Sequence, residues 1–353
     1  LRQPGSEGNI RRVSELRRDP LLRRWVIIAP ERRANLMTRR FTRPASVQET
    51  PCPFCPGNEH MNPAEILVVR AERSGPTAPA WWVRITPDQN PLLRIEGTLE
   101  RRGVGQFDLM SATGAHELVT DTPAHDAHWA DFDITHMERL LRSYLTRYND
   151  LRNDRRFRHA VIMKNHGAPW SRYLHQHSHI VAMPFIPRRI EDEFTGAKEY
   201  FELKERCVFC DTLREEEMRQ ERVAAANADF VALAPFAAGF PFETWILPRH
   251  HMADFGAMGE RSLPALASIF QETMSKLRTT LNDPHFSLAL HSGPLSGERH
   301  AEFHWHWELI PHLSGELGME WATGVYFNPI APEDAATCLR EGLRFSSNGL
   351  VAP

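Results

Sequence analysis

The segment YLHQHSHIVAMPF, residues 173–185, carries histidine at every second position: His175, His177 and His179. Alternate side chains of a β-strand point the same way, so this spacing predicts three imidazoles on one face. Buried imidazoles need hydrogen-bond partners, and three together are costly without a use. The plain alternative is three histidines that are simply satisfied or exposed. The chemical reading is sharper. A neutral imidazole is a good nucleophile toward an activated phosphorus, and the adduct is itself easily displaced. Its other ring nitrogen must be held by an acceptor, which fixes the tautomer and steadies the developing cation. His177, in the middle, is the expected nucleophile, with His175 and His179 as positioning neighbours. A second segment of similar design, His304-Trp305-His306-Trp307-Glu308, alternates histidine with tryptophans that are expected to pack in the interface, and is not expected to supply a nucleophile.

Four of the five cysteines fall into two CxxC pairs, Cys52/Cys55 and Cys207/Cys210. One such pair is a weak signal; two, each followed by a histidine-bearing turn and a histidine-rich strand, are a stronger one. Thiolates with imidazoles select zinc, usually in a closed tetrahedral site. The sets that follow are Cys52, Cys55, His125 and His175, then Cys207, Cys210, His251 and His304. His128 competes with His125, and His250 with His251. Iron at the second site is not separated from zinc by ligand identity alone, although two thiolates favour zinc. Both ions would be structural, stapling a loop to a histidine strand. A thioredoxin-like role is disfavoured because neither CPFC nor CVFC opens a βαβ unit. Cys338, alone in PEDAATCLREGL, reads as a small buried hydrophobe.

These residues must be positioned by repeated elements. CPFC, ELVTDTP, a helical stretch, AVIMKNHG and HQHSHIVAMP recur in order as CVFC, ETWILP, a second helical stretch, SLALHSGP and HWHWELIPH. From the helices onward the copies lie about 126 to 129 residues apart. Apolar residues at three- and four-residue intervals predict helices over 134–153 and 262–281. The flanking β-branched runs, bounded by Pro, Gly or Asn, predict strands. The expected architecture is α+β, a tandem pair of similar domains over 1–190 and 191–353, mainly antiparallel sheet with helices packed on it. Residues 187–206 should join the halves and include a helix; 96–110 reads as a loop or short hairpin. A chain of 353 residues, 42% hydrophobic and 25% charged, has room for a substantial core. Its net charge of −3 gives no reason to expect nucleic acid or a membrane surface as partner. The N-terminal residues lack the apolar core of a secretory signal, so a cytoplasmic location is expected.

HxHxH followed by apolar residues resembles the histidine-triad superfamily. DPLLRRWVIIAPER, CPFCPGNE, KNHGA, HQHSHIVAMP, LAPFAAGFPFETWILPRHH, LALHSGP and HWHWELIPHLS, in this order, resemble the galactose-1-phosphate uridylyltransferase family and its nucleotide-sugar phosphorylase relatives. The resemblance implies two histidine-triad-like domains and a ping-pong reaction. His177 would take a nucleotidyl group from a UDP- or ADP-hexose and pass it to a hexose 1-phosphate or to inorganic phosphate. It also implies that Asn165, Gly167 and Ser171 lie near the phosphates. Arg32 falls on the nucleotide side, and Asp88, Gln89 and Asn90 fall near base and ribose. His306 and Glu308 belong to a degenerate copy on the sugar side, and a homodimer is expected.

The chain also departs from the family pattern. His179 stands where the transferases usually carry Gln, which keeps a histidine-triad hydrolase open as an alternative. Trp170 and Arg172 replace a small-residue loop, Asn35-Leu36 replace Arg-Pro, and Glu320 and Trp321 lie where sugar contacts are expected. A zinc-stapled binding protein without catalysis is the remaining reading, and the intact His177 argues against it.

Overall fold

The computed structural model describes residues 14–35, 51–71, 80–167, 171, 173–313, 318–346 and 349–351. Trp170, Arg172 and Leu36 lie outside them. Ten strands form one antiparallel sheet: β1 (Leu67–Arg70), β2 (Trp81–Pro87), β3 (Ala115–Thr120), β4 (His159–His166), β5 (His177–Met183), β6 (Val223–Ala226), β7 (Phe230–Leu233), β8 (Thr244–Pro248), β9 (Phe286–His291) and β10 (His306–Pro311). Their spatial order is β6-β7-β8-β10-β9-β4-β5-β3-β2-β1. Read inward from either edge, the two halves have the same topology, 1-2-3-5-4 and 6-7-8-10-9. The repeat in the sequence is therefore a repeat in the sheet. The halves meet where β4 pairs with β9, with Phe286 opposite His166 and Ala289 opposite Met163.

One long helix per half covers the same face. Helix α1 (Ile134–Leu151) starts where the Asp133 carboxylate accepts the His136 amide, an ordinary N-cap. Its buried Met137, Leu140, Leu141, Tyr144, Tyr148 and Leu151 follow the three-and-four spacing. The corresponding helix (Leu263–Leu281) buries Leu266, Phe270, Met274 and Leu277, and ends at Asn282 in the left-handed conformation. The two helices pack on each other and on the sheet, giving one core that runs through both halves. Trp305 and Trp307 are fully buried within it, against Phe255 and Phe270. They pack, as alternation with histidine predicts, but in this core.

The link between the halves is α2 (Arg188–Lys204), followed by α3 (Val208–Arg219). Residues 96–110 do contain a hairpin, Arg101–Val104 with Phe107–Met110, turning at Gly105 with φ +63°. A small separate sheet joins Glu15–Arg18, Trp25–Ile28 and Tyr326–Asn328 beside the second half. No helix among the described residues is long and apolar enough to cross a membrane.

Candidate active site

The histidine row is shorter on the strand than its spacing predicts. Strand β5 begins at His177, so only His177 and His179 share its open face; His175 lies just before it. The cause is local. His175 Nε2–H donates to the Thr122 carbonyl at 2.7 Å, which turns Nδ1 toward the sulfurs of Cys52 and Cys55, each 3.7 Å away. His125 Nδ1 approaches Cys55 at 3.3 Å. Tetrahedral zinc would set sulfur and nitrogen ligands about 3.6 Å apart, so these four residues fit a metal. His128 is not among them: its Nδ1 accepts the Ala130 amide and its Nε2 lies 3.2 Å from Asp283. In the second half His304 Nε2–H donates to the Pro248 carbonyl, and its Nδ1 lies 3.7 Å from Cys210, with His251 Nδ1 at 3.4 Å. Cys207 completes that second group, which can likewise hold an ion.

His177 is held for nucleophilic use. Its Nδ1–H donates to the His175 carbonyl at 2.7 Å, so Nε2 carries the free lone pair. The contribution of His175 to the nucleophile thus comes through its backbone oxygen, not its ring. Burial, with the nearby Lys164 charge adding to it, pushes the His177 imidazolium down to about 3, so the ring is neutral at neutral pH. The nucleophile lines a cavity of about 350 Å³ with Asn165, Gly167, Ser171 and His285. Asn165 accepts the Ser287 hydroxyl across the β4–β9 seam. Gly167, at φ +87°, has no room for a Cβ, which would stand 2.6 Å from the His285 ring. Ser171 ties the loop down through its amide to Gly167 O and its hydroxyl to Tyr173 O.

Asp88 sits beside the third histidine, 3.7 Å from His179 Nδ1, while Gln89 donates to the Met61 carbonyl and Asn90 donates its amide to Asp88. Arg32 does not line this cavity; it stacks on Phe327 beside the second half. Glu320 is buried and accepts the Phe327 amide, whereas Trp321 is 86% exposed. His306 and Glu308 are buried together under α2: Arg189 pairs with Glu308 at 2.7 Å, and Glu193 accepts from His291 Nδ1 at 2.8 Å. Burial pushes the Glu193 carboxyl up, but His291, His306 and Arg189 more than offset this and hold it at about 2. The second triad copy is thereby closed over by the linker helix.

The chain is similar to known proteins along most of its length. A profile described as the C-terminal domain of galactose-1-phosphate uridyl transferase matches residues 193–317, and an N-terminal profile of a domain of unknown function matches 105–186. An ADP-glucose phosphorylase of Arabidopsis thaliana is 30% identical over 93% of this chain and 92% of its own length. The chain belongs to the galactose-1-phosphate uridylyltransferase family. A member from Thermotoga maritima, named galactose-1-phosphate uridylyltransferase, is 27% identical over 93% of this chain and 98% of its own. A crystal structure of the Arabidopsis thaliana ADP-glucose phosphorylase with bound ADP-glucose superposes with a TM-score of 0.76, at 29% identity, covering 93% of this chain and 99% of that one.

Several residues of this family member were missed by sequence reasoning. Asp121, fully buried behind β5, accepts from Lys164 Nζ, Ser178 Oγ and Trp129 Nε1 at 2.6–2.8 Å. Lys164 also donates to the His177 carbonyl at 2.9 Å, and Tyr144 pairs with Ser178 at 2.6 Å. A lysine following Ala160 and Ile162 at alternate positions of a strand was the available signal. Glu193 and Arg189 had none, since their partners lie roughly a hundred residues away.

Proposed function

We propose that this protein is a nucleotidyltransferase that moves a nucleoside monophosphate from a nucleotide sugar to a phosphate-bearing acceptor through covalent His177. The observation that carries this reading is the His177 Nδ1–H bond to the His175 carbonyl, which leaves the lone pair on Nε2 of a neutral ring that lines a cavity with Asn165, Gly167 and Ser171. In the first half-reaction Nε2 attacks the α-phosphorus. The N–P bond forms, the bond from phosphorus to the bridging oxygen breaks, and sugar 1-phosphate leaves with the electron pair. The ring keeps its Nδ1 proton, and the His175 carbonyl steadies the positive adduct. In the second half-reaction an acceptor phosphate oxygen attacks phosphorus and returns His177 to its neutral form.

A hexose 1-phosphate is the leading acceptor. Likeness to an ADP-glucose phosphorylase at 30% identity supports inorganic phosphate as a second reading. Asp88, Gln89 and Asn90 would face base and ribose. Zinc in the two Cys2His2 groups would be structural, each ion stapling its CxxC loop to its histidine strand. Two histidine-triad-like domains, 1–190 and 191–353, would share the work, the first holding the nucleophile. The two CxxC pairs, free of disulfides and placed for metal, support a cytoplasmic setting.

The test uses UDP-glucose and ADP-glucose, each labelled at the α-phosphorus. After quenching, label should remain on the His177 peptide of wild type and be absent from His177→Gly. A chase with galactose 1-phosphate or inorganic phosphate should carry the label into product faster than water does. No labelled protein, with His177→Gly turning over as wild type does, would sink the covalent reading. Faster loss to water than to either acceptor would convert it to a hydrolase.

A further inference from the structure

His116 forms a cluster with His179 and Asp88 next to the nucleophile and has no role so far. His116 Nε2 lies 3.1 Å from His179 Nδ1, and Asp88 Oδ2 lies 3.8 and 3.7 Å from the same two nitrogens. Two imidazoles and a carboxylate this close could in principle grip a cation. One hydrogen bond decides against it. The backbone N–H of Leu92 donates to His116 Nδ1 at 3.1 Å, so that nitrogen must be bare. A metal on Nε2 would require the proton to move to Nδ1, where it would face the Leu92 N–H head on. In the neutral ring the proton therefore stays on Nε2, and the nearest atom to receive it is His179 Nδ1. The sequence of bonds is directional: Leu92 N–H to His116, then His116 N–H to His179. Asp88 stands beyond hydrogen-bond reach of both rings and accepts the Asn90 amide instead.

We propose that His116 is a positioning residue that locks His179 in the tautomer bearing its proton on Nε2, so that the third histidine presents a fixed N–H donor to the phosphoryl oxygens held on His177. This rests on the covalent reading of His177. The His179 ring packs edge-on to the His177 ring, centroids 5.2 Å apart, so the two side chains are direct neighbours on the strand face. Burial disfavours the charged form of both rings, pulling His116 below its usual value and His179 to about 4, so a single proton must be assigned to each. Left alone, a neutral imidazole divides between two tautomers, only one of which donates from the nitrogen that His116 leaves free. The wrong one offers a lone pair to an anion. His116 removes that choice before substrate arrives, and the Leu92 amide removes it for His116.

The experiment is made on the full chain labelled with 15N-histidine. Long-range proton–nitrogen correlations identify which ring nitrogen of each histidine carries hydrogen, and loss of signals in His116→Phe and His179→Gln assigns the two rings. The expected result without substrate is a protonated Nε2 and a bare Nδ1 in both rings. In His116→Phe the His179 signals should shift toward a mixture. Leu92→Pro deletes the locking donor while leaving both rings in place, and should blur the His116 assignment; it serves if His116→Phe fails to fold. In turnover, His116→Phe should lower kcat about ten-fold, the scale of one charge-assisted hydrogen bond, with KM little changed. In a His179→Gln background, whose amide N–H cannot tautomerise, the same substitution should change kcat less than about two-fold. A protonated His179 Nδ1 in wild type, or equal kcat losses in both backgrounds, overturns the proposal. Because tautomers are read without substrate, an enzyme that forms no covalent adduct would fail the proposed function while leaving the His116–His179 assignment readable.

Discussion

Lys164 and Asp121 show what the first half maintains at residue scale and the second has given up. At the positions matching Lys164, Ser178 and Tyr144, offset by 126, 129 and 126 residues, stand Leu290, Trp307 and Phe270. The polar set is a hydrogen-bonded network; the apolar set is an edge-to-face aromatic contact, Phe270 on Trp307, beside a leucine. A buried ion pair is seldom more stable than well-packed apolar residues of similar size, so stability does not explain its retention. Its bond to the His177 carbonyl does: Lys164 fixes the backbone of the nucleophile from behind, and its charge adds to the burial that keeps the ring neutral. Lys164→Met should therefore destabilise the protein by about 3–5 kcal/mol, because buried Asp121 loses its cationic partner. Adding Asp121→Leu should recover part of that loss. Urea unfolding of the two variants checks both signs; a double variant weaker than the single one would contradict this account.

At the scale of elements, helix α2 joins the halves and also closes the second triad copy. Its seat is Gly196, where a Cβ would stand 1.7 Å from the Leu21 carbonyl. Helix propensity alone favours Gly196→Ala by about 1 kcal/mol, but backbone against backbone cannot give way. The variant should lose about 1–3 kcal/mol in urea unfolding, the sign opposite to propensity. Arg189 and Glu193 should also be drawn off Glu308 and His291. Helices α1 and Leu263–Leu281 were legible to within two residues, because a three-and-four apolar spacing is local information. The linker helix was legible as an element but not as a lid. The start of β5 was also out of reach, because it is set by the Thr122 carbonyl and the cysteine sulfurs, which capture His175 from distant parts of the chain. His125 over His128, and His251 over His250, were likewise decided by tertiary geometry that spacing alone leaves open.

Across the whole molecule, burial has filled the interior with neutral imidazoles. His128, His159, His179 and His312 are each pushed down to about 4 by burial, helped by a neighbouring imidazole: His166, His291, His116 and His285 respectively. Unfolded, each titrates near 6.5. Above that value both states are neutral, and the contribution to stability is complete. As pH falls from about 6.5 toward 4 the unfolded chain binds protons that the native state refuses, and stability is lost. His291, which burial pushes down but Glu193 lifts above its usual value, and Glu243, which burial pushes up to about 8, act in the opposite sense. The four outweigh the two, so the urea midpoint should drop between pH 7 and pH 5; a midpoint that rises on acidification would refute this.

The tandem repeat was readable from order and spacing, yet the way its copies join was not, since each copy carries every strand needed for either arrangement. The join has a consequence for the backbone. The β4–β9 ladder and the paired long helices hold the halves together whether or not α2 connects them covalently. The order in which the chain visits its parts is therefore separable from the shape it makes. A circular permutant opened at the exposed end of α2, or two fragments cut there and expressed together, has the same seam to reassemble on.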